Sequence, residues 1–339
     1  MKRSVHLVGS APVENAEDMF RLSMQHLGDC LKRLPDGEAG ERDTWIRWQY
    51  DKIESCAQMQ QTKLENVYVP RPPFTIVEGI QTADEIEFFN LGYADAAIES
   101  WLVFQKLADE GLIKNNIRFQ VGLPTPLSVA IFYVESGSRD LFEQAYQFAL
   151  KSELTRMLEH IPGEKLSIQW ETVSEFALLE GLMENHLGDN LIEKITDRVA
   201  RLIDLVPDPA EAGLHFCYGD SGHKHFCEPK DTGFLVQLAS AVVEKAESNI
   251  AWIHMPVPKE RDDIEYFAPL EDLNLPDTTD LYLGLVHQTG GKKGTLSRMS
   301  AASNIVSKFG LATECGLGRR DRDSIPALLQ QHAEIANSN

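Results

Sequence analysis

Residues 214–220 read Leu-His-Phe-Cys-Tyr-Gly-Asp, an apolar run that carries a histidine and a cysteine two positions apart. In a β-strand, side chains two positions apart face the same side. His215 and Cys217 should therefore point together, while the apolar residues around them point to the other side. The stretch predicts a buried strand that presents metal-binding side chains at its carboxyl end, just before Asp220.

Seven other apolar runs alternate with amphipathic segments in the same way. The predicted strands are residues 5–8, 30–34, 117–121, 166–170, 214–218, 250–254, 281–286 and 311–315. The predicted helices, with apolar residues at three- and four-residue spacing, are residues 14–31, 83–110, 139–160, 191–205, 232–247, 295–309 and 325–336. Strands that alternate with helices pair in parallel, and eight such units are typical of a (β/α)8 barrel. We predict one TIM-barrel domain spanning residues 1–339, with an insertion at 66–79 that forms a hairpin or lid.

A TIM barrel carries its active site at the carboxyl ends of its strands. The chain has polar residues at or just after most of its predicted strands. They are Ser10, Glu38, Glu41, Glu171, His215, Cys217, Asp220, His254, His287 and Cys315. We therefore expect these side chains to gather at one end of the barrel.

Composition excludes several classes of function. The formal net charge of -20 argues against nucleic acid or an anionic membrane as a partner, because phosphate binding needs clustered Lys and Arg. No apolar run approaches the ~20 residues of a membrane span. The five cysteines are odd in number and thinly spread, which is typical of a reducing compartment and indicates a cytoplasmic protein. The oligomeric state is left open.

A zinc site accounts best for the histidine and cysteines at the strand ends. Zinc prefers thiolate and imidazole ligands, and catalytic zinc sites hold three protein ligands and one open position. His215, Cys217 and Cys315 would complete such a set, and His254 is a possible fourth ligand that a substrate thiol could displace. The alternative is that the cysteines act as small buried apolar residues and His215 as a hydrogen-bonded core residue.

Several short motifs occur in the same order as in a known family. The chain resembles the catalytic C-terminal barrel of cobalamin-independent methionine synthase, in the uroporphyrinogen decarboxylase/methionine synthase-like superfamily. The matching segments are Val8-Gly9-Ser10, the Gly-Glu-Ala-Gly-Glu-Arg run at 37–42, His-Phe-Cys-Tyr at 215–218 and Cys-Gly-Leu at 315–317. The run at 37–42 has one residue more than the family's Gly-Glu-Pro-Glu-Arg.

The resemblance implies an activity and roles for particular residues. Zinc on His215, Cys217 and Cys315 would bind a thiol, lower its pKa and present it to a methyl or alkyl donor. His287 falls where the family has a histidine proposed to assist proton transfer. The residues implied to orient the substrate are Ser10, Glu38, Glu41, Trp170 and Glu171. Asp220, with His223 and His225 in the same loop, is a further candidate for proton transfer.

Three departures argue against methionine synthase itself. His254 stands where the family has a glutamate ligand, and Trp170 where the family has an aspartate that holds the substrate amino group. The family's additional N-terminal barrel is not represented either, so we expect a short stand-alone member, and folate use is left open. Other readings are a zinc lyase or hydrolase acting on a non-amino-acid substrate, a metal-free decarboxylase-like enzyme, and a non-catalytic zinc-binding protein.

Overall fold

A computed structural model describes residues 2–222 and 224–338 of the chain. Its centre is a curled, all-parallel sheet of seven strands in the order β1-β4-β5-β6-β7-β8-β9. The strands are β1 Arg33–Pro35, β4 Arg118–Pro124, β5 Leu166–Thr172, β6 Glu211–Phe216, β7 Ile250–Pro256, β8 Asp280–Gly284 and β9 Gly310–Leu311. Helices connect most of them, so this mixed α/β fold is consistent with a TIM-like barrel.

The first and last predicted strands are much shorter than expected. Of residues 5–8, only Val5 pairs, through isolated parallel bridges to Leu31 and Leu311 at the two edges of the sheet. Of residues 311–315, only Leu311 belongs to β9. Each edge offers Val5 a single residue pair, too few for a regular ladder. The sheet therefore has seven regular strands over the described residues, whereas eight were predicted.

The helices mostly follow the predicted pattern. They are α1 Ala16–Leu27, α2 Gln49–Glu54, α3 Tyr93–Asp109, α4 Pro126–Tyr133, α5 Arg139–His160, α6 Ser174–Leu179, α7 Leu191–Asp204, α8 Gly233–Lys245, α9 Ile264–Phe267, α10 Gly291–Ser303 and α11 Ile325–Ala336. Helices α5 and α11 have the predicted bounds. Helices α2, α4, α6 and α9 were not predicted, and all are eight residues or shorter. Helix α1 begins after Asn15, whose side chain accepts a hydrogen bond from Asp18 N.

Residues 59–76 form an antiparallel hairpin. Strand β2 Met59–Gln61 pairs with β3 Phe74–Ile76, and residues 62–73 form the loop between them. The segment 66–79, predicted as an insertion, covers the last two thirds of this loop and β3, whereas β2 precedes it. The Asn66 amide donates a hydrogen bond to the carbonyl of Phe132, 2.7 Å away, which ties the loop to α4.

Strand register brings the polar side chains together. Glu171 on β5 lies opposite His215 on β6, and His215 lies opposite His254 on β7. Their neighbours Trp170, Leu214 and Ile253 are fully buried in the main hydrophobic core. Alternation along each strand explains this division, because successive side chains point to opposite faces of the sheet. Among the described residues, no helix is long and apolar enough to cross a membrane.

Candidate metal centre and its cavity

Three side chains converge where β6 and β9 end. The Sγ atoms of Cys217 and Cys315 are 3.5 Å apart, and Cys315 Sγ lies 3.7 Å from His215 Nε2. One ligand atom from each of the three lies within 4.8 Å of the others. His215 and Cys217 are almost completely buried, and Cys315 is half-buried. A thiol–thiol–imidazole group has the donor chemistry that zinc prefers.

The spacing of these atoms suits tetrahedral zinc. With Zn–S near 2.3 Å and Zn–N near 2.0–2.1 Å, two thiolates lie about 3.8 Å apart and a thiolate and an imidazole nitrogen about 3.6 Å apart. The Cys217–Cys315 and Cys315–His215 distances of 3.5 and 3.7 Å differ from these values by no more than about 0.3 Å. Two of the three ligand-atom distances therefore match a tetrahedral zinc site, and the ligand atoms of His215 and Cys217 lie within 4.8 Å of each other.

The Cys315 thiol lies in an environment that resists ionisation until a cation arrives. The neighbouring Cys217 thiol, together with burial, raises the pKa of Cys315 well above its ordinary range. The backbone N–H of Gly219 donates to Cys217 Sγ at 3.3 Å, which holds that sulfur in place beside Cys315. A bound zinc ion would reverse the balance at Cys315, because its positive charge stabilises thiolate.

His254 lies behind His215 rather than beside the two sulfurs. Its Nδ1 is 2.7 Å from His215 Nδ1, and its Nε2 donates to the carbonyl of Thr313 at 2.9 Å. Both of its ring nitrogens are thus engaged, and the ring is fully buried. Burial lowers the pKa of His254 to about 4, so the ring is neutral. His254 was predicted as a possible fourth ligand; in the structure it is a hydrogen-bond partner of His215.

A cavity of about 670 Å³ opens above the three residues. His215, Cys217 and Cys315 form part of its wall. Further lining residues are Ser10, Glu38, Trp45, Tyr68, Phe132, Glu171, Asp220 and Arg319. A small molecule in this cavity would touch the metal group and several polar side chains together.

Two carboxyl groups meet in one wall of the cavity. A side chain at Gly122 would place its Cβ 2.8 Å from Glu171 Oε1 and 3.0 Å from Glu38 Oε1, so glycine leaves the space in which the carboxyls converge. Burial, and then the charge of Glu171, raise the pKa of Glu38 well above its ordinary range. Burial raises the pKa of Glu171 to about 7. At neutral pH the pair therefore holds at least one proton, and a cationic or hydrogen-bond-donating ligand would compete with it.

The backbone is strained at two residues of the cavity. Glu38 has φ 51° and Trp45 has φ 58°, in the left-handed region that only a few per cent of non-glycine residues occupy. Asp36 holds Glu38 in place by accepting its N–H at 3.0 Å, and Asp36 is itself paired with Arg42 at 2.7 Å. The indole N–H of Trp45 donates to Glu171 Oε2 at 2.7 Å. Such strain is typical of functional sites.

Aromatic rings form another part of the cavity wall. Trp45 and Phe132 meet edge to face with ring centroids 5.6 Å apart, and Tyr68 from the hairpin loop packs 5.9 Å from Phe132. These rings give the cavity an apolar wall, and Trp45 joins it to the carboxyl pair through its hydrogen bond to Glu171. The hairpin loop thus contributes directly to the candidate site.

Asp220 and Ser10 lie along the cavity near the cysteines. Burial, and then the charge of Glu314, raise the pKa of Asp220 to about 7. Ser10 packs so closely on Gly316 that a Cβ there would lie 2.2 Å from its Oγ and collide, and a Cβ at Gly318 would lie 3.0 Å from it. The loop after Asp220 contains His225, which is 3.4 Å from Glu228, whereas His223 lies outside the described residues.

Besides His254, three predicted site residues lie outside the cavity lining. Trp170 is fully buried in the core, since it alternates along β5 with Glu171, which faces the cavity. Glu41 is exposed in a short helical turn, residues 40–44, where Asp43 and Thr44 reach the lining instead. The third is His287.

His287 is buried beside Glu314, the residue that directly precedes Cys315. Its Nε2 donates to the carbonyl of Val257 at 2.8 Å, and its Nδ1 lies 3.2 Å from Glu314 Oε2. Arg320 holds the other oxygen of Glu314 at 2.7 Å. Burial by itself would raise the pKa of Glu314, but the charges of His287 and Arg320 lower it. Glu314 directly precedes Cys315, so this chain of contacts fixes the segment that carries the thiol.

A second group with metal-ligand chemistry lies on the outside of the sheet, between α5 and α7. Asp140, Glu143 and His186 are close enough to hold an ion. However, Arg198 pairs with Glu143 at 2.8 Å and with Asp140 at 3.6 Å. Its guanidinium already neutralises the carboxylates, so this group is an ion-pair cluster, and the first group is the better metal centre.

Comparisons with known proteins agree with this fold. No protein-family model matches the chain, and no curated protein matches its sequence. Among solved structures, a B12-independent methionine synthase from Shewanella sp. W3-18-1, in complex with selenomethionine, matches with a TM-score of 0.58 and 13% identity, over 99% of this chain and 97% of that one. The chain has the fold of these synthases.

A second structure supports the same conclusion. A protein of Listeria monocytogenes assigned as a vitamin-B12-independent methionine synthase matches with a TM-score of 0.55 and 17% identity, over 94% of this chain and 86% of that one. The resemblance inferred from short motifs is therefore confirmed at the level of the fold. Identities this low say nothing about which residues act in this chain, so the site rests on its own geometry.

Sequence reasoning did not find the aromatic wall or the partners of His254. Trp45 follows Glu41 at helical spacing, which is more typical of packing than of a binding site. Its positive φ and its contact with Glu171 depend on tertiary structure. Tyr68 reaches the cavity only through the hairpin, and Thr313 acts through its backbone carbonyl, which no side-chain pattern reveals.

Proposed function

We propose that this chain is a zinc-dependent enzyme that transfers a methyl or alkyl group to the sulfur of a small thiol. The observation that carries the proposal is the convergence of His215, Cys217 and Cys315, at distances that suit tetrahedral zinc, on the wall of a cavity of about 670 Å³. Zinc bound there would stabilise the thiolate form of a thiol substrate. The shared fold with methionine synthases supports this reaction class.

The residues of the cavity suit the remaining steps. The thiol's S–H bond breaks and the carboxylate of Asp220, whose pKa of about 7 lets it exchange protons near neutral pH, would accept the proton. The sulfur then forms a bond to the methyl carbon, and the donor's leaving group departs with the electron pair of the broken bond. Glu38, Glu171 and Ser10 would orient the thiol substrate, with Trp45 as an apolar wall.

Residues outside the cavity would act indirectly. His287 would hold Glu314 and thereby the segment of Cys315, and would take part in proton movement only through neighbouring groups. Trp170 would support Glu171 from the core side of β5. Glu41 would contact a substrate only at the outer rim.

Thiol binding at the metal tests the proposal. Cobalt(II) replaces zinc in the purified protein, and small thiols are added while the electronic spectrum is recorded. We expect a sulfur-to-cobalt charge-transfer band that grows with thiol, and methyl transfer from a panel of methyl donors to the same thiols. The matched control is the Cys315→Ser variant. A cobalt protein whose spectrum is unchanged by every thiol would refute thiol activation.

One observation favours a second candidate, a zinc-dependent lyase or hydrolase. Glu171 and Asp220 both line the cavity with pKa values of about 7, which suits general acid and base work at neutral pH. This candidate predicts bond cleavage in the absence of any thiol. Turnover of esters or carbon–carbon substrates without a thiol would favour it over transfer.

A further inference from the structure

The hydrogen bond between His215 and His254 has a direction that the surrounding structure determines. Their Nδ1 atoms are 2.7 Å apart, a distance at which one nitrogen donates its proton to the other in a hydrogen bond. Two lone pairs would repel each other, and two N–H groups would clash. One imidazole therefore donates and the other accepts.

Thr313 decides which ring donates. A backbone carbonyl only accepts, so His254 Nε2, 2.9 Å from Thr313 O, carries a proton. A neutral imidazole carries a single N–H, which leaves His254 Nδ1 with a lone pair. It accepts from His215 Nδ1–H, and His215 Nε2 is then the bare nitrogen that faces Cys315 Sγ at 3.7 Å.

The opposite direction requires a buried cation. If His254 carried protons on both nitrogens, His215 would accept at Nδ1 and hold its own proton on Nε2, which would block ligation there. His254 is fully buried, and its two partners are a neutral imidazole and a carbonyl. The charge of Glu314 would favour an imidazolium at His254, but that carboxylate is already paired with Arg320 and His287. Burying an imidazolium whose hydrogen-bond partners are both neutral is costly, so the first direction is the stable one.

We propose that His254 is a positioning residue of the metal centre, which keeps the Nε2 lone pair of His215 directed at the metal and leaves the fourth coordination position to substrate. The inference rests on the proposed function for the metal itself. Because both ring nitrogens of His254 are engaged, the ring would have to leave the Thr313 carbonyl and the His215 ring to become a ligand.

The anchor of His254 also belongs to the segment that carries a ligand. Thr313 precedes Cys315 by two residues, and its hydroxyl donates to the carbonyl of Cys315 at 2.6 Å. One segment thus supplies a thiol and orients the imidazole pair. Outer partners of metal-bound histidines fix the ring and raise its basicity, and their loss typically weakens metal binding by about 10–100-fold.

Two substitutions separate positioning from ligation. His254→Asn keeps an oxygen near the place of Nδ1 that can accept from His215, whereas His254→Leu offers no acceptor. His332→Leu is the control, because His332 is also fully buried and bonded to a carbonyl, Leu328 O at 2.8 Å, but lies on α11. The zinc dissociation constant of each reduced protein is measured by competition with a chromogenic chelator.

We expect His254→Leu to bind zinc about 10–100-fold more weakly than the unmodified chain. His254→Asn should stay within about threefold of the unmodified chain, since the acceptor is retained, and the control should not change. Equal affinity in the unmodified chain and His254→Leu would overturn the inference. So would X-ray absorption of the zinc protein that shows two bound imidazoles.

The tautomers themselves provide a readout that needs no metal. Nitrogen NMR of the metal-free protein should show a proton on Nδ1 of His215 and on Nε2 of His254. A proton on Nε2 of His215 would overturn the inference even if zinc binds. Failure of the unmodified chain to bind zinc would instead refute the proposed function, while the NMR result would still decide the proton arrangement.

Discussion

Replacing Glu171 with glutamine should make the protein more stable, and increasingly so as the pH rises. Glu171 is buried, and its pKa is raised from 4.5 to about 7. The folded state therefore binds the proton more tightly than the unfolded state. Its stabilisation by this proton is fully present below about pH 4.5 and is lost as the pH rises through about 7. Relative to low pH, the loss amounts to about 1 kcal/mol at pH 5 and about 3 kcal/mol at pH 8.

Glutamine cannot ionise, so Glu171→Gln avoids this loss and still accepts the indole N–H of Trp45. The stability difference between variant and unmodified chain should grow by about 2 kcal/mol between pH 5 and pH 8. Because the charge of Glu171 also raises the pKa of Glu38, its removal acts in the same direction. Urea unfolding at pH 5, 6, 7 and 8 measures the difference, with Glu244→Gln on the exposed side of α8 as the control. A difference that stays constant over this range would refute the reasoning.

Three further predictions concern the same region and its surroundings. Trp45→Phe removes the N–H that lowers the pKa of Glu171, so that pKa should rise above about 7 in a carbon NMR titration. The variant should also lose about 1 kcal/mol of stability. An unchanged titration would contradict the contact between the two side chains. Gly122→Ala places a Cβ 2.8 Å from Glu171 Oε1. The rate of methyl or alkyl transfer to thiols should therefore fall at least about tenfold while the zinc content stays the same. Full activity would count against a role for the carboxyl pair. Glu175→Gln should stabilise the chain by about 3 kcal/mol at pH 8, because burial raises the pKa of Glu175 to about 7. Equal urea midpoints of unfolding for the variant and the unmodified chain at pH 8 would disprove this.

The order of elements was predictable from the sequence because buried parallel strands leave a strong local pattern. Strand β5 is buried at all seven positions, and α7 carries a clear apolar stripe, so both were found within two residues of their ends. Residues 5–8 have the same apolar character, but their pairing depends on both edges of a curled sheet. Local pattern therefore predicts a strand where the structure has only the bridges of Val5.

The candidate site was predictable to the extent that it lies at strand ends. His215 and Cys217 follow from alternation along β6, and register across β5, β6 and β7 places Glu171 and His254 beside them. The orientation of Trp170 could have followed from the same alternation, since it cannot share a face with Glu171. The hydrogen bond from His254 to Thr313 depends on a backbone carbonyl of another segment, which sequence spacing does not encode.

The central claim is that His215, Cys217 and Cys315 bind a catalytic zinc ion. Elemental mass spectrometry of the protein, purified without added metal, tests it most directly. We predict about one zinc per chain, and almost none in a variant that combines His215→Ala with Cys217→Ala. No metal in the unmodified chain, even after zinc is offered to the reduced protein, or stoichiometric zinc retained by the double variant, would contradict the assignment.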